Sequence, residues 1–149
     1  MITYHFYDTC SLLLKANDLF NDPSEHIIIS SITLNELENI KTSSVKDPDV
    51  KYCARKLLHT LNNNLNKFTC WIFKIPMLAP IEEAGLDITN DMRILACAID
   101  YDKRVHPDAT IFITNDLALK NIANLFFGED SIQSVNEDYK EDYDGYIER

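Results

Sequence analysis

TIFITNDLALK, residues 110–120, runs from a β-branched apolar segment straight into Thr114, Asn115 and Asp116, and a helical pattern begins at Leu117. A short continuous apolar run such as 110–114 reads as a strand buried on both faces of a parallel sheet. Residues 117–127, LALKNIANLFF, read as a helix stopped by Gly128. The triplet between them has two uses. Its side-chain oxygens can cap the free N–H groups of the first helical turn. They can also hold a ligand at the carboxyl end of a strand, where open α/β sheets bind.

The same alternation extends through the rest of the chain. ITYHFY (2–7) reads as a strand ended by Asp8, and SLLLKANDLF (11–20) as a short helix closed by Asn21, Asp22 and Pro23. HIIIS (26–30) is a second buried strand, followed by the helix ITLNELENIKT (32–42). Asp47-Pro48 opens a longer helix to about Asn64. Its apolar positions Val50, Cys53, Ala54, Leu57, Leu58, Leu61 and Leu65 recur at helical spacing. FTCWIFKI (68–75) reads as a strand, the segment 89–103 as a helix and SIQSV (131–135) as a last short strand. Strands separated by helical crossovers predict an α/β fold: a three-layer α/β/α sandwich around a mainly parallel sheet. One domain is expected over 1–135, with 136–149 an acidic, Tyr-rich tail, mobile or loosely docked.

The 149 residues are 46% hydrophobic and 26% charged, a globular composition. No apolar run approaches the roughly 20 residues of a membrane span, and the amino terminus has no signal-peptide pattern. Cys10, Cys53, Cys70 and Cys97 form no CxxC pair, as expected for reduced thiols in a cytoplasm. The net charge of −10 disfavours a polyanionic partner, but its distribution matters. Residues 129–149 hold eight of the 24 acids and two of the 14 bases. The remaining 16 acids and 12 bases leave the body at only −4.

Four acids from distant segments fall on one edge of the expected sheet. Asp8 and Asp116 end two strands, Glu36 lies one turn into a following helix, and Asp91 lies in the first turn of another. Each has a purely structural use. Asp8 and Asp116 can be N-caps, Thr33 to Glu36 matches a capping box, and Asp91 suits the helix dipole. As a cluster they need protons or a cation, since two carboxylates about 4 Å apart repel by about 4 kcal/mol at an effective dielectric near 20. Oxygen donors, with no Cys or His nearby, select Mg²⁺ or Mn²⁺. Such ions serve phosphodiester hydrolysis.

YDTCSLLL, SSITLNELENIK, NDMRILACA and FITNDLALK together resemble, in order, the acidic motifs of PIN-domain nucleases, over residues 4 to about 128. The resemblance implies a compact α/β metal-dependent endoribonuclease. Asp8, Glu36, Asp91 and Asp116 would bind the metal, Thr114 or Asn115 would support them, and Asp87 is the alternative third acid. The third and fourth motifs look closest to the PIN domain fused ahead of a PhoH-type ATPase. The chain itself has no GxxxxGK[ST] loop, so any ATPase partner would be separate, and the resemblance favours a homodimer. RNA, single-stranded, is the expected partner. Arg93 is the base expected at the scissile phosphate, and Lys41, Lys51 and Arg55 are expected along its backbone. The alternative reading is a PIN-like module that binds nucleic acid or protein without cutting. A GxSxG hydrolase and a dinucleotide-binding fold are disfavoured by missing motifs, and a covalent Asp8 nucleophile lacks the second acid two residues on.

Overall fold

The computed structural model describes residues 2–135, so the expected tail at 136–149 lies outside the described residues. The strands are β1 (Tyr4–Tyr7), β2 (His26–Ser30), β3 (Phe68–Trp71), β4 (Thr110–Ile113) and β5 (Ile132–Gln133). The helices are α1 (Thr9–Lys15), α2 (Ser31–Thr42), α3 (Pro48–Asn62), α4 (Ala79–Glu83), α5 (Asn90–Arg104) and α6 (Leu117–Ala123). The five strands form one sheet in the order β3-β2-β1-β4-β5, and every pairing is parallel. The expected α/β sandwich is the observed one.

Alternation along the strands sorts the core into two layers. Phe6, Ile28 and Phe112 face Leu95, Ala96 and Ile99 of α5, with Leu119 of α6. Tyr7, Ile27, Ile29 and Ile113 face the other way, onto α1 and onto Leu37, Leu57 and Leu61 of α2 and α3. From β1 the chain winds outward to β2 and β3, then returns to β4 and winds the opposite way to β5. The reversal lies between β1 and β4, so a crevice is expected at their carboxyl ends.

Several boundaries differ from the periodicity reading, for local reasons. α1 starts at Thr9 because Asp8 caps it, accepting from the Ser11 amide. α2 is capped by Ser30, whose Oγ accepts from the Ile32 amide at 2.9 Å, so Thr33 is inside the helix and no capping box forms there. α3 stops at Asn62, and Leu65 is 66% exposed in the turn beyond it. β3 pairs only with β2 and ends at Trp71, because the Phe73 amide donates instead to Ser31 Oγ. The proline-containing stretch before α5 holds a 3-10 turn, Ile75–Leu78, and α4, which buries Met77, Leu78 and Ile81.

Candidate active site

Asp8 is only 3% exposed. Its Oδ1 accepts from the Ser11 amide (2.9 Å) and hydroxyl (2.5 Å), and its Oδ2 accepts from Thr114 Oγ1 at 2.6 Å. Capping and site geometry are thus one arrangement: the cap fixes one oxygen and Thr114, from the end of β4, fixes the other. Burial raises the Asp8 pKa above the ordinary carboxylate range; the hydrogen bonds from Ser11 and Thr114 oppose that rise, and Asp116 adds to it.

Thr114 also accepts the Asp116 amide proton at 3.1 Å, and so sets both carboxylates. Asp116 caps α6 with Oδ1, which accepts from the Ala118 and Leu119 amides at 2.9 and 3.2 Å. Glu36, half-buried on α2, accepts from Thr9 Oγ1 at 2.7 Å. Asp91 stands in the first turn of α5, which Thr89 caps. Its carboxyl has no hydrogen-bond or ion-pair partner among the described residues. Although the residue is exposed, its pKa is pushed up to about 6, first by desolvation and then by Asp8, Glu36 and Asp116. Asp91 therefore lies within charge range of the other three acids, and Asp8 within range of Asp116, 108 positions away.

Glu36 and Asp91 line a crevice of about 410 Å³, together with Thr9, Cys10, Asn39 and Lys46. None of the four acids makes a salt bridge among the described residues, so no protein cation offsets them at close range. As they stand, no three acidic, His or Cys side chains among the described residues are gathered closely enough to hold a metal. A second cavity of about 400 Å³ opens at the opposite, amino-terminal edge, among Tyr4, His26, Lys67 and Tyr101. It includes Glu25, whose carboxylate is already bonded to His5 and Tyr7.

Other expected site residues fall elsewhere. Asp87 lies exposed in the loop before α5 and is absent from the charge coupling that joins the four acids. Asn115 turns away from the acids: its Nδ2 donates to the Val135 carbonyl and its Oδ1 accepts from the Val135 amide, fixing the chain after β5. Arg93 donates to Asn90 Oδ1 at 2.8 Å and does not line the crevice. Lys41 pairs with Glu38 at 2.9 Å and, with Arg55, lines a separate groove between α2 and α3. Lys51 lies on α3 outside both. Cys10, expected to be remote from the acids, lies among them. Burial and the charges of Asp8, Asp91, Glu36 and Asp116 raise its pKa and keep it a protonated thiol, so oxygen remains the available anionic donor.

Thr9 and Lys46 are the crevice residues that the motif reading passed over. Thr9 directly follows Asp8, and its adjacency was the available signal. Lys46, between α2 and α3, stands in none of the four acidic motifs.

A doubly wound sheet with Asp8 and Asp116 at its switch point, and Glu36 and Asp91 on α2 and α5 within charge range of that edge, defines an α/β domain with an acidic edge. The chain belongs to the PIN-domain family, which matches residues 6–126. Among solved structures, a chain of VapBC2 from Rickettsia felis, crystallised bound to a DNA fragment from their promoter, shares the fold with a TM-score of 0.55. The identity is 21%, covering 90% of this chain and 100% of that one. No curated protein matches the chain.

Proposed function

We propose that this PIN-domain protein is a ribonuclease that hydrolyses phosphodiester bonds with Mg²⁺ or Mn²⁺ held by Asp8, Glu36, Asp91 and Asp116. The observation that carries the reading is that Asp8 and Asp116, just beyond the ends of β1 and β4, lie within charge range of Asp91, as Glu36 does, and that none of the four has a salt-bridge partner among the described residues. The donor set suits a hard cation: only oxygen anions are offered, and after burial it is the neighbouring carboxylates that raise the Asp8 and Asp91 pKa values, a repulsion that a cation would relieve. Such an ion would stabilise phosphoryl oxygens and activate water. The chain's own contribution is to hold Asp8 and Asp116 rigidly through Thr114, and Glu36 through Thr9, around an open crevice. Asp91, without a partner of its own, is the acid freest to adjust.

The deciding experiment incubates single-stranded RNA and DNA with the protein in Mg²⁺, Mn²⁺ or EDTA. Cleavage of RNA in either metal and none in EDTA is the expected result. DNA is included because the VapBC2 complex holds a DNA fragment. If neither polymer is cut, the reading becomes that of a PIN-like binding module. The PhoH-associated subtype and a separate ATPase partner are finer proposals that rest on the NDMRILACA and FITNDLALK motifs, and a homodimer is one that rests on the PIN resemblance; the family match is to the PIN domain as a whole.

A pH dependence follows. With Asp91 raised to about 6, the folded protein binds a proton there that the unfolded chain, at its ordinary value of 3.8, has already released. That favourable contribution is present at low pH and is lost as pH rises through about 6. A bound cation reverses the loss, and protons compete with it below pH 6. Melting temperatures with Mn²⁺ and with EDTA should therefore differ more at pH 7.5 than at pH 5. Equal differences at both pH values would show that Asp91 takes no part in holding the ion.

A further inference from the structure

Lys46 is the single cation among the residues lining the acid crevice. Its ammonium makes no ion pair with Glu36 or Asp91, or with any other acid among the described residues. The backbone that carries it is held on both sides. Ser43, at the end of α2, accepts from the Val45 and Lys46 amides at 3.2 and 3.3 Å. Asp47, the next residue, caps α3 through the Asp49 amide at 2.8 Å, with Pro48 opening that helix. The exposed Lys46 side chain thus stands on a two-helix junction whose backbone is hydrogen-bonded on both sides, at the wall of a crevice that also holds Glu36 and Asp91.

The neutral polar side chains Asn39, Ser43 and Asn90 share the crevice wall with it. That combination suits a phosphodiester: one positive charge for the anionic oxygens and neutral groups that add no repulsion. Arg93 does not itself line the crevice; its guanidinium donates to the wall residue Asn90. The far side of the α2 carboxyl end opens on a groove lined by Arg55 and by Lys41, the latter paired with Glu38, so a strand leaving past Lys46 meets the charge of Arg55.

Building on the nuclease reading, we infer that Lys46 is the substrate-binding residue that grips a backbone phosphate adjacent to the scissile bond, and that the nucleic acid leaves the acids over the α2–α3 junction.

The test uses the full chain and 5′-labelled single-stranded RNA, with binding followed by fluorescence anisotropy in EDTA over a range of salt concentrations. Lys46→Ala should weaken binding by about fivefold and flatten the slope of log affinity against log salt by about 0.7, as expected for one lost phosphate contact on a single strand. Lys46→Arg should restore both. Lys103→Ala, at the far end of α5, should change neither. In Mn²⁺, Lys46→Ala should raise KM while leaving kcat and the Mn²⁺-induced rise in melting temperature close to wild type. Wild-type cleavage accompanied by an unchanged affinity and salt slope in Lys46→Ala would overturn the inference alone. Wild-type protein that neither binds nor cuts RNA would overturn it together with the nuclease reading.

Discussion

Asp8→Asn is expected to lower metal-dependent cleavage by about a thousandfold, the scale of losing a main electrostatic group in an active site, while leaving the fold intact. Asparagine is nearly the same shape, and its carbonyl can still accept from Ser11, so α1 keeps its cap. What it loses is the negative charge. Because burial is the largest influence on the Asp8 carboxyl and it opposes ionisation, removing the charge relieves the folded state. The amide also puts a donor opposite Thr114 Oγ1, which now donates to Oδ2, and that mismatch works against the relief. Burial outweighs the individual hydrogen bonds, so the metal-free variant should melt at or above the wild-type temperature. Mn²⁺ should then raise its melting temperature far less than it raises that of wild type. Circular dichroism melts with EDTA and Mn²⁺, beside cleavage assays, check both halves. A variant that melts well below wild type and has lost activity would make Asp8 a structural cap rather than a ligand.

Thr114→Val should cost about 1–3 kcal/mol of stability, the range for leaving buried polar groups unsatisfied, and reduce cleavage by about 10–100-fold, as for partners that orient metal ligands. Valine fits the same volume at this fully buried position, so packing is preserved. The loss comes from two bonds: Asp8 Oδ2 is left without its donor and the Asp116 amide without its acceptor. One of those bonds holds down the Asp8 pKa, so that pKa rises further without it. The acidic limb of the pH–activity profile should therefore move to higher pH, a change that loss of stability alone does not produce. Thr114→Ser keeps the hydroxyl and should restore the profile. Lower activity with an unshifted acidic limb would remove Thr114 from the control of Asp8.

Much of this was legible along the chain because it is local. Buried strands such as HIIIS and TIFI announce themselves by unbroken apolar character. The acids at their ends follow from where strands stop and helices start, so Asp8, Glu36, Asp91 and Asp116 could be placed on one edge before any contact was known. The apparent capping box at Thr33 was misleading because Ser30, three residues earlier, supplies the actual cap. Asp91 was preferred to Asp87 because it stands in the Asp-Met-Arg-Ile-Leu pattern, and the structure puts Asp91 in the first turn of α5 and Asp87 in the loop before it.

By itself the sequence determined the doubly layered α/β alternation and the edge on which the carboxylates gather, since periodicity and capping act within a few residues. The tertiary structure alone decided which side chains face the crevice. The bond that ties Asp8 to Thr114 joins residues 106 positions apart. Asn115 turns to Val135, Arg93 is held by Asn90, and Cys10 and Lys46 enter the site. The physical reason is direction: spacing places a residue on an element, but packing between distant elements sets where its side chain points and how much water and charge surround it.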